Sequence, residues 1–67
     1  MTCIQIKKMA ENMTAENFIK ELYINKINYD ILDMDPVYPN KGVCIIDVDG
    51  LGDVDPIVFM DGKFINN

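Results

Sequence analysis

Six of the eight aspartates fall into three Asp-x-Asp pairs: Asp33/Asp35, Asp47/Asp49 and Asp53/Asp55. On an extended chain the i,i+2 spacing puts both carboxylates of a pair on one side, about 6 to 7 Å apart. Such pairs admit three readings. Asp caps strand ends and turns by hydrogen-bonding its own backbone, and it blunts sheet edges. Carboxylates also ligate calcium, and the run Asp47-Val48-Asp49-Gly50-Leu51-Gly52-Asp53 invites that comparison. An EF-hand loop needs oxygen ligands at its first, third and fifth positions and Glu at its twelfth. Counted from Asp47, the fifth is Leu51 and the twelfth is Val58, so the ligand set fails. The third reading is a negative surface whose carboxylate spacing approximates that of phosphates along a nucleic-acid strand. It would occupy the basic groove of a nucleic-acid-binding protein and gain on-rate and salt-sensitive affinity from complementary charge.

Other chemistry has little to work with. The chain contains no His, so imidazole catalysis and His-ligated metal sites are excluded. Paired carboxylates could exchange protons, but nothing supplies a nucleophile, an oxyanion site or a phosphate cradle. Gly50-x-Gly52 is a lone GxG in a turn with no helix after it, which is no nucleotide loop. Tyr23, Tyr29 and Tyr38 are not interleaved with basic residues, against single-strand stacking. Cys3 and Cys44 form no CxxC. They read as two reduced core thiols or as a Cys3–Cys44 disulfide between adjacent strands, and two thiolates alone do not make a zinc site.

Charge is distributed unevenly. The 67 residues carry a net charge of −5. Residues 1–28 hold four lysines against three glutamates, +1, while residues 29–67 hold two lysines against eight aspartates, −6. Every Glu lies on or near the expected helix and every Asp in the sheet half. The acidic balance argues against direct binding of DNA, RNA or anionic lipid. No apolar stretch approaches the roughly 18 residues of a membrane span. The opening Met1-Thr2-Cys3-Ile4-Gln5-Ile6 lacks the charged-then-apolar order of a signal peptide. A cytoplasmic location is expected. The length fits one domain over 1–67, with 49% hydrophobic residues and a core limited by the surface that so short a chain can bury.

The elements that must position these groups follow from periodicity. Cys3–Lys8 alternates, with Ile4 and Ile6 on one face, and reads as a first strand. Thr14 reads as an N-cap, followed by Ala15, Phe18, Ile19, Leu22 and Tyr23 at helical spacing, giving a helix over about 14–25. Strands are expected at 28–34, 43–48 and 57–60. Asp61-Gly62 then forms a two-residue hairpin turn into a short edge strand, 63–65. The expectation is α+β: a small mixed sheet of four to five strands (β-α-β-β-β-β) with one amphipathic helix on one face. Cys44-Ile45-Ile46 and Ile57-Val58-Phe59-Met60 lack clean alternation, which suggests strands buried on both faces. One helix covers one face, so a homodimer or a binding surface is expected on the other. Of the methionines, Met9 and Met13 are the candidates for exposure.

Three stretches resemble glutaredoxins of the thioredoxin superfamily. They are Cys3-Ile4-Gln5-Ile6-Lys7-Lys8 with Phe18-Ile19-Lys20-Glu21-Leu22, then Lys26-Ile27-Asn28-Tyr29-Asp30-Ile31-Leu32-Asp33, and finally the run Leu51 to Ile65. In that last run a proline opens a strand that ends at an Asp-Gly turn. The family's CxxC would fall near Glu11-Asn12-Met13-Thr14, which has no cysteine, and its Gly-Gly near Asn66-Asn67. The resemblance implies a redox-inactive module, with Asp55-Pro56 at the family's cis-proline and an anion attracted to the helix start near Thr14. In size and charge the chain is also similar to small acidic phage inhibitors of nucleic-acid-binding proteins.

The expected function is a non-enzymatic acidic inhibitor without cofactor or metal. Asp33, Asp35, Asp47, Asp49, Asp53 and Asp55 act as a DNA mimic toward a basic DNA-binding protein. The alternative is a redox-inactive glutaredoxin-like binding module.

Overall fold

Thr2 and Gln5 cap each other at the start of the chain. Thr2 Oγ1 accepts the Gln5 N–H at 3.2 Å and Gln5 Oε1 accepts the Thr2 N–H at 2.8 Å. This reciprocal capping box satisfies two N–H groups that a helix start otherwise leaves open. In the computed structural model, which describes residues 2–51 and 56–65, it opens helix α1, Cys3–Glu11. The strand expected over Cys3–Lys8 is therefore a helix. The apolar residues decide it: Ile6 and Ala10 are buried one turn apart, with Cys3, Met9 and Met13 packed around them, while Ile4 is 68% exposed. That is helical spacing, and the Ile4/Ile6 alternation is incidental to it. Met9 and Met13, expected at the surface, are half-buried against the core.

Helix α2, Ala15–Ile24, follows with Thr14 as its N-cap, as expected. Its buried face is Ala15, Phe18 and Leu22, with Ile19 half-buried. Tyr23, assigned to the apolar stripe on spacing, is instead 69% exposed. The chain leaves α2 through Lys26 at φ 58, and the Ile27 N–H bonds the Leu22 carbonyl at 2.9 Å. That turn delivers strand β1, Tyr29–Asp33, which pairs with β2, Val43–Val48; β3, Ile57–Met60, and β4, Lys63–Phe64, complete the sheet. The sheet order is β1-β2-β3-β4 and every pairing is antiparallel, so the sheet is not mixed. The α+β class holds, with two helices ahead of four strands among the described residues.

Burial alternates along β2, where Cys44, Ile46 and Val48 are buried, and along β3, where Ile57 and Phe59 are. Among the described residues these strands are thus fully buried on one face only and half-buried or exposed on the other, contrary to the two-sided burial their apolar runs suggest. Both helices lie on the fully buried face: Ile6, Ala10, Phe18 and Leu22 form one core with the inward strand residues. Phe59 sits at its centre, 5.4 Å from Phe18 and 6.0 Å from Phe64 between ring centroids. No polar side chain is buried among the described residues, so hydrophobic burial, at about 1.5–3 kcal/mol per large side chain, carries the stability. Cys3 and Cys44 are free thiols, half-buried and buried respectively, and form no disulfide.

The β3–β4 hairpin turns on Asp61 and Gly62, at φ 49 and φ 86, the doubly left-handed backbone of a two-residue turn. Gly62 is needed for space as well. A Cβ there would lie 3.1 Å from the Asn40 Cβ. No helix among the described residues is long and apolar enough to cross a membrane.

Candidate functional site

The sheet face away from the helices takes its charge from β1 and β2. Asn28 accepts the Asp49 N–H at 2.9 Å, and the register then runs Tyr29 opposite Val48, Asp30 opposite Asp47 and Ile31 opposite Ile46. Because Val48 and Ile46 point into the core, Asp30 and Asp47 point together to the other face. A bulge at Leu32 then shifts the register so that Asp33 stands opposite Ile45. The extra residue returns Asp33 to the face of Asp30, which a regular strand would not allow for residues three apart. Asp30, Asp33 and Asp47 are all exposed. Asp49 follows at the end of β2, and with Asn28, Tyr29, Asp30 and Asp47 it lines a shallow polar cleft of about 100 Å³.

The three sequence pairs are therefore not equivalent. Antiparallel pairing puts Asp47 and Asp49 beside the start of β1 and Asp33 toward its other end. Asp35 is committed to its own loop: its Oδ1 accepts the Tyr38 N–H at 2.8 Å and the Val37 N–H at 2.9 Å. Those two bonds, with Lys41 nearby, hold its carboxyl below the usual value of 3.8. Lys41 also lies over the Tyr38 ring, 5.9 Å from its centroid. Asp53 and Asp55 fall outside the described residues, as does the Asp55–Pro56 bond. Asp30, which belongs to no Asp-x-Asp pair, is the acidic residue that spacing missed. Only the cross-strand register reveals it.

Apolar side chains fill the rest of this face. Val43, Ile45 and Val58 are half-buried and Met60 is exposed on it, and Ile65 joins them through its N–H to the Val58 carbonyl at 3.0 Å. Around the edge of β1, toward the helices, Tyr23, Ile24, Lys26, Ile27, Asn28 and Tyr29 line an open depression of about 540 Å³. Asn28 and Tyr29 border both hollows, so an apolar and an acidic hollow adjoin across β1.

Chemically the cleft offers carboxylates, an amide and a phenol. Among the described residues no three His, Cys, Asp or Glu side chains are placed to hold a metal ion. The Cys44 thiol is buried on the opposite face of β2, where burial, and then Asp33, push its pKa up. The start of α2 is fully engaged. The N–H groups of Ala15, Glu16 and Asn17 go to the Gly62 carbonyl, Asn40 Oδ1 and Thr14 Oγ1 respectively. An anion near Thr14 would find those donors already taken. No protein-family model, curated protein or solved structure matches the chain.

Proposed function

We propose that the protein is a non-enzymatic acidic inhibitor that presents aspartate carboxylates, in place of nucleic-acid phosphates, to the basic surface of a DNA-binding protein. The observation that carries this reading is the shared exposed face of Asp30, Asp33 and Asp47, with Asp49 at its end. No hydrogen bond or ion pair within the described chain engages these four carboxylates. Four such carboxylates grouped on one face give a directional field that steers a cationic partner. Asp35 contributes by shaping the 35–38 loop. Asp53 and Asp55 join the proposed set on their spacing alone.

The test is capture of DNA-binding proteins on the immobilised chain, with duplex DNA as competitor. Binding should fall steeply with salt and be displaced by the duplex, because both ligands use the same cationic groove. Replacing Asp30, Asp33, Asp47 and Asp49 with Asn should abolish capture while urea unfolding stays cooperative. Capture that survives those substitutions, or that duplex DNA does not displace, overturns the reading. The same face is where a homodimer would cover Val43, Ile45 and Met60. Sedimentation separates the two associations by sign: self-association of two acidic faces strengthens with added salt, whereas capture of a basic protein weakens.

A further inference from the structure

Among the described residues β1 is an edge strand, paired on one side with β2 and on the other with no strand. The Asn28–Asp49 bond fixes which residues face β2. By the alternation of an antiparallel ladder, Asn28 and Asp30 turn their N–H and C=O inward, while Tyr29 and Ile31 turn theirs outward. The bulge at Leu32 ends this stretch on one side, and the Ile27 N–H, already bonded to Leu22, ends it on the other. Every β1 residue except Tyr29 is exposed, including the apolar Ile31 and Leu32. An exposed edge with apolar side chains is a template for an added strand.

The two faces of this edge differ. On the sheet's open face an incoming strand would meet Asp30, Asp47 and Asp33. On the helix face it would meet Ile31 and the depression lined by Tyr23, Ile24, Ile27 and Tyr29. Resting on the function proposed above, we infer that the partner docks by strand addition: an extended segment of alternating apolar and cationic residues pairs with the outer edge of β1 over Tyr29–Ile31. Its cationic residues lie over the carboxylates and its apolar residues fill the depression. Charge selects this occupant over a second copy. Two β1 edges meeting antiparallel would bring Asp30 and Asp33 of one copy against those of the other, with a net charge of −5 on each chain.

The probe is a synthetic Val-Lys-Val-Lys-Val-Lys peptide, compared with Val-Val-Val-Lys-Lys-Lys of the same composition and charge. The alternating peptide should bind more tightly and slow amide exchange at Tyr29 and Ile31 in the unmodified protein. Ile31→Pro removes an outward N–H, a position where an edge strand tolerates proline. It should weaken the alternating peptide about tenfold, as expected for losing a hydrogen bond and its neighbouring contacts. Equal binding of the two peptides, or unchanged exchange at Tyr29 and Ile31, overturns strand addition. The charge reading is judged separately: peptide binding that persists after Asp30, Asp33, Asp47 and Asp49 become Asn overturns that reading instead.

Discussion

Asp30 and Asp47 stand directly opposite one another across the β1–β2 ladder, on the exposed face of the sheet. Their Cβ atoms are about 5.5 Å apart in such a pair, and like charges so placed oppose folding by roughly 0.2–1 kcal/mol. Asp47→Asn should therefore raise the urea midpoint of the isolated protein. The gain should shrink at high salt, where the repulsion is screened. The same variant should bind a cationic partner less well. A variant that is no more stable at low salt would show that the two carboxylates do not repel in the folded state.

Most of this architecture can be read from the chain. Strands 43–48 and 57–60 and the Asp61-Gly62 turn stand where β-branched runs and turn chemistry place them, and Thr14 caps α2 as its sequence suggests. Helix α1 was hidden because Cys3, Ile4 and Ile6 favour strand and Ile4/Ile6 mimic a two-residue period. The contrary signal lies in Thr2-Cys3-Ile4-Gln5, a Thr-x-x-Gln capping box, and in the 3-6-10-13 spacing of Cys3, Ile6, Ala10 and Met13. The acidic surface was only half legible. Asp-x-Asp spacing brings Asp47 and Asp49 to one end, but Asp30 joins them through register, and Asp33 joins the face through a bulge. Neither register nor bulge has a local signature in so short a sequence.

Asn40 ties the 34–42 loop to α2, its Oδ1 accepting the Glu16 N–H at 2.9 Å. Asn40→Ala leaves a part-buried helix-start donor unpaired and should cost about 1 kcal/mol. Asn40→Asp keeps the acceptor and adds negative charge at the helix N-terminus, so it should recover most of that loss. Guanidinium unfolding of the three proteins checks the order. Gly62→Ala should lose more, since it combines a left-handed backbone with a Cβ 3.1 Å from Asn40.

Asp35 should impart an acid-side pH dependence. The Tyr38 N–H first and the Val37 N–H second lower its carboxyl pKa in the folded state, with Lys41 assisting. A depressed folded value means that the ionised carboxylate stabilises the fold above the ordinary value of 3.8. The contribution is lost as pH falls through the folded value. Asp35→Ala should thus be less stable than the parent near neutrality, and the two should converge in acid. A carboxyl-carbon titration should place Asp35 below 3.8. A stability difference that grows in acid would contradict the assignment.

Cys44 provides a readout for all of these changes. Its side chain is fully buried, and its thiol pKa is raised by burial and then by Asp33. The reactive thiolate is therefore both scarce and shielded in the native state. Cys3 is half-buried on α1 and free. Iodoacetamide should modify Cys3 first and reach Cys44 only through opening of the core, at a rate set by the fraction unfolded when closing outpaces alkylation. Asp47→Asn should slow Cys44 labelling and Asn40→Ala should speed it. A bound cationic peptide should slow it as well, because a ligand of the native state lowers the population of open molecules. Equal labelling rates at the two cysteines in native buffer would show that the β2 core opens as readily as the α1 surface, against the packing of Cys44 beside Phe59.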